Sequence, residues 1–441
     1  MADRFSCCAL GLALGLLSAP MAGAEEPTVP LASMPGWAED APSKMVDALL
    51  ASCLAWAVWP AERPLLPDPT MRGGSPEQWR PFCEAVSALD REHPRPRVSR
   101  RGVSDIEAVR ARDAAFREMF EARLVAVPLG PGLLTGYYEP VLRGSRTPDD
   151  QHRTPLLARP LPGAAVASTS APPASSSWAG RRVSTSGQPL PGATARHEEG
   201  AEPWPQPEPT IATAGHGLPP VLPLIGSLLP TRGEIAAGAL AGRGLELAYL
   251  ANPADAFFLH IQGSGRVELP DGKVLRLGYA AQNGHRYISI GRVMINRGLI
   301  AREAMSMQAI RDWLSTAPEA EAEAMMAENP SYIFFRELEG LRPDQGPRGS
   351  LGVPLTPGRS LAVDRSQIPL GAPVFIAGRD PVSGAALNRL TLAQDTGGAI
   401  RGRARGDLFW GWGEAAGAAA GRARDEARFW LLLPNEVAAA P

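Results

Sequence analysis

Apolar residues recur at helical spacing near the start of the chain and at strand spacing over most of the rest. Across 40–59, Met45, Leu49, Cys53 and Trp56 share one helical face, and Pro60 ends the run. Ser75-Pro76-Glu77-Gln78 has the form of a capping box with proline at the first helical position. It opens a helix that turns Trp79, Cys83, Val86 and Leu89 inward, and Pro81 inside it should kink the helix or delay its start. A second box, Ser104-Asp105-Ile106-Glu107, opens a helix to about Arg123. Such stripes are core positions and carry no chemistry.

From Leu124 the period shortens. Val125, Val127 and LLTGYYEPVL (133–142) read as strand, turn and strand. Between Leu222 and Arg297, ELAYL, AFFLHIQGSGRVEL, KVLRLGYA and RYISIGRVMI read as short strands, with Asp271-Gly272 as a hairpin turn. That spacing predicts a small barrel or sandwich. Met307, Ile310, Trp313 and Leu314 mark a helix, and another runs from Pro318 to Ala327 before Asn329-Pro330. Strands at 331–335, 361–364, 372–377 and 427–433 complete the pattern. The expected fold is mainly β with a helical N-terminal segment and a smaller all-β domain inserted into it. A cleft between the two domains is where a ligand would bind.

The 441 residues allow two or three domains. A net charge of −2 with no basic stripe gives nucleic acid no footing. Six scattered histidines with no i,i+4 pair argue against a metal site, and no phosphate-cradling loop or dinucleotide fingerprint occurs. No cofactor is expected. Residues 1–24 read as a secretory signal peptide, with Arg4, the apolar run Ala9 to Leu17 and the small-residue site Ala22-Gly23-Ala24. Cys7 and Cys8 precede the apolar run, where a lipid-attachment cysteine would follow it. An exported, periplasmic protein is therefore expected. The remaining cysteines, Cys53 and Cys83, suit either a disulfide in an oxidising compartment or two buried thiols. Residues 161–221, rich in Ala, Ser, Thr, Gly and Pro, read as a disordered insertion.

Candidate chemistry concentrates in Thr391 to Gly417, where Asp395 and Asp407 stand twelve residues apart. Asp407 lies between Gly406 and Leu408-Phe409-Trp410, and a carboxyl among apolar groups is poorly solvated and tends to hold its proton. That suits a general acid near neutral pH, and the aromatics beside it suit a sugar ring. Thr135-Gly136-Tyr137-Tyr138-Glu139-Pro140 can line a polar groove, although Glu139 could simply hold an arginine. Gln262-Gly263-Ser264-Gly265 lacks the spacing of a serine-hydrolase elbow, and Gln282-Asn283-Gly284-His285 is a further polar cluster.

These motifs together carry a resemblance. GYYEP (136–140), FFLHIQGSGR (257–266), GYAAQNGHRYISIGR (278–292), MSMQAIRDWL (305–314), NPSYIFF (329–335), VPLTPGRSLAVDRSQIPLGAP (353–373) and DTGGAIRGRARGDLFWGWG (395–413) resemble the membrane-bound lytic murein transglycosylase A family. The resemblance implies a double-psi β-barrel carrying three aspartates, here Asp364, Asp395 and Asp407. It also implies cleavage of the β-1,4 bond between N-acetylmuramic acid and N-acetylglucosamine in peptidoglycan without water, leaving 1,6-anhydro ends. Asp407, in the motif Asp407-x-Phe409-x-Gly411-x-Gly413, would be the lone acid/base, with Asp395 helping and Asp364 supporting. Thr135, Tyr137, Tyr138, Glu139, Gln262, Gly263, Ser264, Gly265, Asn283 and Phe409 would touch the glycan. Partners in cell-wall synthesis or at the outer membrane fit the same picture. Along the chain this predicts a helical part over 25–140, an inserted β domain over 141–300, and a helical hairpin with the catalytic barrel over 301–434. The alternatives are a non-catalytic polysaccharide-binding module, with Asp395 and Asp407 paired to Arg401, Arg403 or Arg405, and hydrolysis using Glu139 as a second carboxylate.

Overall fold

The computed structural model describes residues 28–68, 70–96, 105–160 and 229–439. The expected signal peptide and the low-complexity stretch over 161–221 lie outside them. Three helices come first: α1 (Val46–Ala57), α2 (Pro76–Glu92) and α3 (Ile106–Arg123). Ser75 and Gln78 form the expected reciprocal box, and α2 runs on through Pro81. For α3 the cap is Asp105, which accepts from the N–H groups of Glu107 and Ala108, one residue later than the sequence suggests.

The inward stripes of these helices, including Trp56, Trp79, Phe82, Phe116 and Phe120, share one core with the barrel residues Phe375, Phe429 and Leu431. Cys53 of α1 and Cys83 of α2 form a disulfide across 30 residues. Closing a loop of that length in the unfolded chain is worth about 3.6 kcal/mol in the chain-entropy view. Denaturant unfolding with and without reductant, or of Cys53→Ser/Cys83→Ser, should therefore show a stability loss of about that size.

A long strand, β1 (Leu124–Glu139), follows. The chain then leaves through β2 (Val141–Ser145), β3 (Thr154–Leu157), α4 (Arg232–Ala236), β4 (Glu246–Leu250), α5 (Pro253–Gln262), β5 (Ser264–Glu268) and β6 (Val274–Gln282). It continues through α6 (Ile290–Asn296), α7 (Met307–Thr316), α8 (Glu319–Ala327) and β7 (Ile333–Glu337). It returns as β8 (Ser360–Val363), β9 (Pro373–Arg379), β10 (Ala386–Asp395), β11 (Arg405–Trp412), α9 (Gly413–Arg422), β12 (Arg424–Pro434) and the short α10 (Asn435–Ala438).

Strands β1, β11, β8, β10, β9 and β12 close, in that order, into a barrel. Its β1–β11 and β8–β10 pairs are parallel, so residues far apart in sequence become neighbours. The inserted unit is a second six-stranded sheet, ordered β3-β4-β2-β5-β6-β7.

That insertion is not all β. Residues 256–262, expected as the first part of a strand, lie in α5, with Asn252 as its cap, Pro253 at its first position and Gly263 in the left-handed conformation at its end. Those termini signals were present in the sequence, but the run Phe257-Phe258-Leu259 is apolar without a clear period, because α5 is enclosed on several sides. Residues 290–295, also expected as strand, lie in α6, capped by Ser289. The pair α7–α8 belongs with the insertion rather than with the barrel. Phe257, Phe258, Met294, Leu314, Met325 and Met326 make one apolar cluster, and β7 pairs with β6. The inserted unit therefore continues to about residue 338.

Candidate active site

Strand register assembles the site. Parallel pairing of β1 with β11 sets Thr135 against Asp407 and Tyr137 against Phe409. On β8, Ala362 is the register partner of Asp407 on one side and of Asp395 on the other. Two strand spacings, roughly 10 Å, thus separate the backbones of the two aspartates.

Asp407 is half-buried. Its Oδ1 accepts a 2.6 Å hydrogen bond from the Thr135 hydroxyl. Neither Asp407 nor Asp395 is in an ion pair among the described residues. Burial pushes the Asp407 carboxyl up to about 6. The Thr135 hydrogen bond and the Arg405 charge hold it down, while the Asp395 charge adds to the rise.

Asp395 is also raised by burial, against the pull of four donors. Tyr137 donates its hydroxyl to Oδ2 at 2.9 Å, and Ser350 donates to Oδ1 through its backbone N–H at 2.9 Å and its hydroxyl at 3.0 Å. The N–H of Thr396 is the fourth. The Ser350 loop can come this close because residue 349 is glycine. A Cβ there would sit 2.5 Å from the Gln394 carbonyl oxygen and 3.3 Å from the Asp395 Cβ.

Asp364 is buried and points elsewhere, capping a turn. Burial pulls its carboxyl up, but the Gly402 N–H at 2.8 Å, with the hydroxyl and N–H of Ser366, outweighs it and leaves it lowered. It braces the loop that leads into β11.

Several expected glycan contacts are internal instead. Glu139 is fully buried and held by Arg266 (Nε to Oε2, 2.8 Å) and Arg276 (Nε to Oε1, 3.1 Å), so no substrate reaches it. Phe409 is fully buried beneath Tyr137, with ring centroids 5.3 Å apart, and offers no face to a sugar. Tyr138 alternates to the opposite side of β1 and packs on Ala416 and Ala420 of α9. Asn283 is buried, donating to the carbonyls of Pro230 and Pro330 and accepting from the Tyr332 N–H. Ser264 and Gly265 are buried in β5, and Gly263 ends α5. Gln262 is half-buried and ties the two units together, accepting from the Tyr138 N–H at 3.1 Å. What the fold brings together is Thr135, Tyr137, Asp395 and Asp407, joined by Ser350 and Arg405. Nothing local marked Ser350. Arg405, two residues before Asp407 on one strand, was legible as sharing its face.

Known proteins share this fold. The sequence profile described as MltA specific insert domain matches residues 133–203 and 226–336, and that of the 3D domain matches 359–433. A crystal structure of a membrane-bound lytic murein transglycosylase from Agrobacterium tumefaciens is 31% identical with a TM-score of 0.67. It is matched over 93% of this chain and 98% of that one. The chain belongs to the membrane-bound lytic murein transglycosylase A family. MltA from Neisseria gonorrhoeae is 31% identical, with a TM-score of 0.61 and 92% of each chain covered. Membrane-bound lytic murein transglycosylase A of Vibrio cholerae is 41% identical over 227 residues. That alignment spans 50% of this chain and 60% of the relative's length. The closed barrel is the double-psi barrel of this family, and the second sheet with its helices is the family's insert.

Proposed function

We propose that the protein is a peptidoglycan lytic transglycosylase that cleaves the β-1,4 bond between N-acetylmuramic acid and N-acetylglucosamine without water. Asp407 is its single acid/base. The observation that carries this reading is the state of Asp407: a carboxyl raised to about 6, bonded through one oxygen and, among the described residues, free of ion pairs. Such a group still holds a proton near neutral pH and can also take one back. It protonates the glycosidic oxygen as the bond to C1 breaks. The sugar's own C6 hydroxyl attacks C1 and returns its proton to the carboxylate, so no water enters and the product is a 1,6-anhydro end. Asp395 anchors Tyr137 and Ser350 and supplies a like charge that favours the protonated form of Asp407.

The binding-module alternative needed these carboxylates locked to arginines, and Asp407 is not. Hydrolysis needed an accessible second carboxylate, and Glu139 is enclosed. Peptidoglycan strands are thus the proposed substrate, and the periplasm the proposed compartment. Among the described residues no helix is long and apolar enough to cross a membrane.

Mass spectrometry of fragments released from purified sacculi tests the reaction. Products lighter than the hydrolysis products by one water are expected, and reducing ends would overturn the single-carboxylate mechanism. The pH profile tests the assignment. Asp407 must be protonated to act first, so kcat/KM should be flat below about 6 and fall above it. A profile still rising through neutral pH would point to a different acid.

A further inference from the structure

Arg405 has no place in the mechanism above, yet its guanidinium is built into the site. It lies on β11 two residues before Asp407, and the parallel register sets it beside Leu133 of β1, two residues before Thr135. Its Nη1 donates to the carbonyls of Leu133 (3.3 Å) and Gly406 (2.5 Å), and its Nη2 donates to the Thr135 hydroxyl oxygen at 2.9 Å. All these acceptors are neutral, and among the described residues no carboxylate at ion-pair distance cancels the charge.

A threonine hydroxyl has one proton to give. With a charged donor on its oxygen, that proton is directed to the remaining acceptor in line, Asp407 Oδ1, at 2.6 Å. Resting on the transglycosylase reading above, we propose that Arg405 is a positioning residue. Acting through Thr135, it reserves Oδ1 of Asp407 as an acceptor and leaves Oδ2 to carry the transferable proton.

The charged and titratable groups facing Asp407 are Arg405 on its own strand, Tyr137 from β1 and Asp395 from β10. Of these, Arg405 alone favours the carboxylate. It therefore offsets the burial that would otherwise make the acid too weak to release its proton and poor at retrieving it.

The test follows the Asp407 carboxyl by carbon-13 NMR of aspartate-labelled protein, assigned with Asp407→Asn, alongside kcat, KM and the pH profile on sacculi. Arg405→Met should raise the Asp407 titration by about one pH unit, the usual effect of losing a nearby opposite charge. The falling limb of kcat/KM should move up with it. We expect kcat to drop about tenfold with KM unchanged, because Arg405 acts on the acid rather than on the glycan. Thr135→Val should move the titration the same way, while Arg405→Lys and Thr135→Ser should restore most of it and control for misfolding.

An unmoved titration with normal kcat would overturn the proposal. A loss confined to KM would also overturn it, making Arg405 a substrate contact. The NMR arm needs no substrate. A shifted titration in a protein that yields no anhydro ends would therefore uphold the coupling and sink the transglycosylase reading instead.

Discussion

Asp407→Asn is expected to fold normally and to lose activity on sacculi by about 10³–10⁴-fold, near the upper end of what general acid–base catalysis supplies. The amide keeps the shape of the carboxylate and can still accept from Thr135, but it can neither give nor retrieve the proton. Both halves of the proposed reaction use this one group, so no partner covers for it.

Stability should move in the opposite direction. In the fold the carboxyl is raised to about 6, above its unfolded value, because burial opposes its charge. Ionising it therefore opposes folding as pH rises through that window, and at pH 7 the asparagine variant should be at least as stable as the parent. A thermal melt beside an activity assay separates the two effects. Inactivity with a lowered Tm would assign Asp407 to the fold, and retained turnover would remove it from the mechanism.

Glu139→Ala should cost about 3–5 kcal/mol of stability, the usual penalty for removing one partner of a buried charge cluster. Glu139 is fully enclosed at the point where β1 leaves the barrel and β2 enters the insert. Arg266 and Arg276 converge on it, and both also donate to the Gln345 carbonyl. Arg266 further lies 4.0 Å over the Trp412 ring at the end of β11. Without the carboxylate, two buried guanidinium groups face each other uncompensated, and the joint between the two units loses its common anchor. Glu139→Gln keeps the volume and should lose nearly as much, because the charge is what the arginines need. Denaturant unfolding measures the loss. A stable, inactive Glu139→Gln protein would instead make Glu139 a catalytic carboxylate and revive hydrolysis.

The sequence was most informative where the signal is local. Ser75 and Gln78 form their box with residues three apart, and the inward stripes of α1 and α2 are core. The Asp395–Asp407 stretch is found where the barrel brings its strands together, because dense glycines and flanking apolar residues are themselves the conditions for close strand approach. The reading failed where a residue's surroundings are long-range. FFLHI is apolar in either a strand or an enclosed helix, and packing against α7 and α8 chose the helix.

The sequence by itself determined a helical lead-in, a mainly β body interrupted by an insertion, and a glycine-rich stretch with two aspartates set beside Thr135 and Tyr137 by resemblance. Tertiary structure decided which of those groups have work left to do. Glu139 and Phe409 read as site residues from their neighbours in the chain, but the fold spends one on two arginines and buries the other under Tyr137. Ser350 carried no mark and Arg405 read only as an ion-pair partner for the aspartates, yet the 349–350 loop and the β1–β11 register aim them at Asp395 and, through Thr135, at Asp407. The reason is physical. Capping, periodicity and turn chemistry act over a few residues, whereas burial, ion pairing and proton affinity depend on partners hundreds of residues away that only the closed barrel brings together.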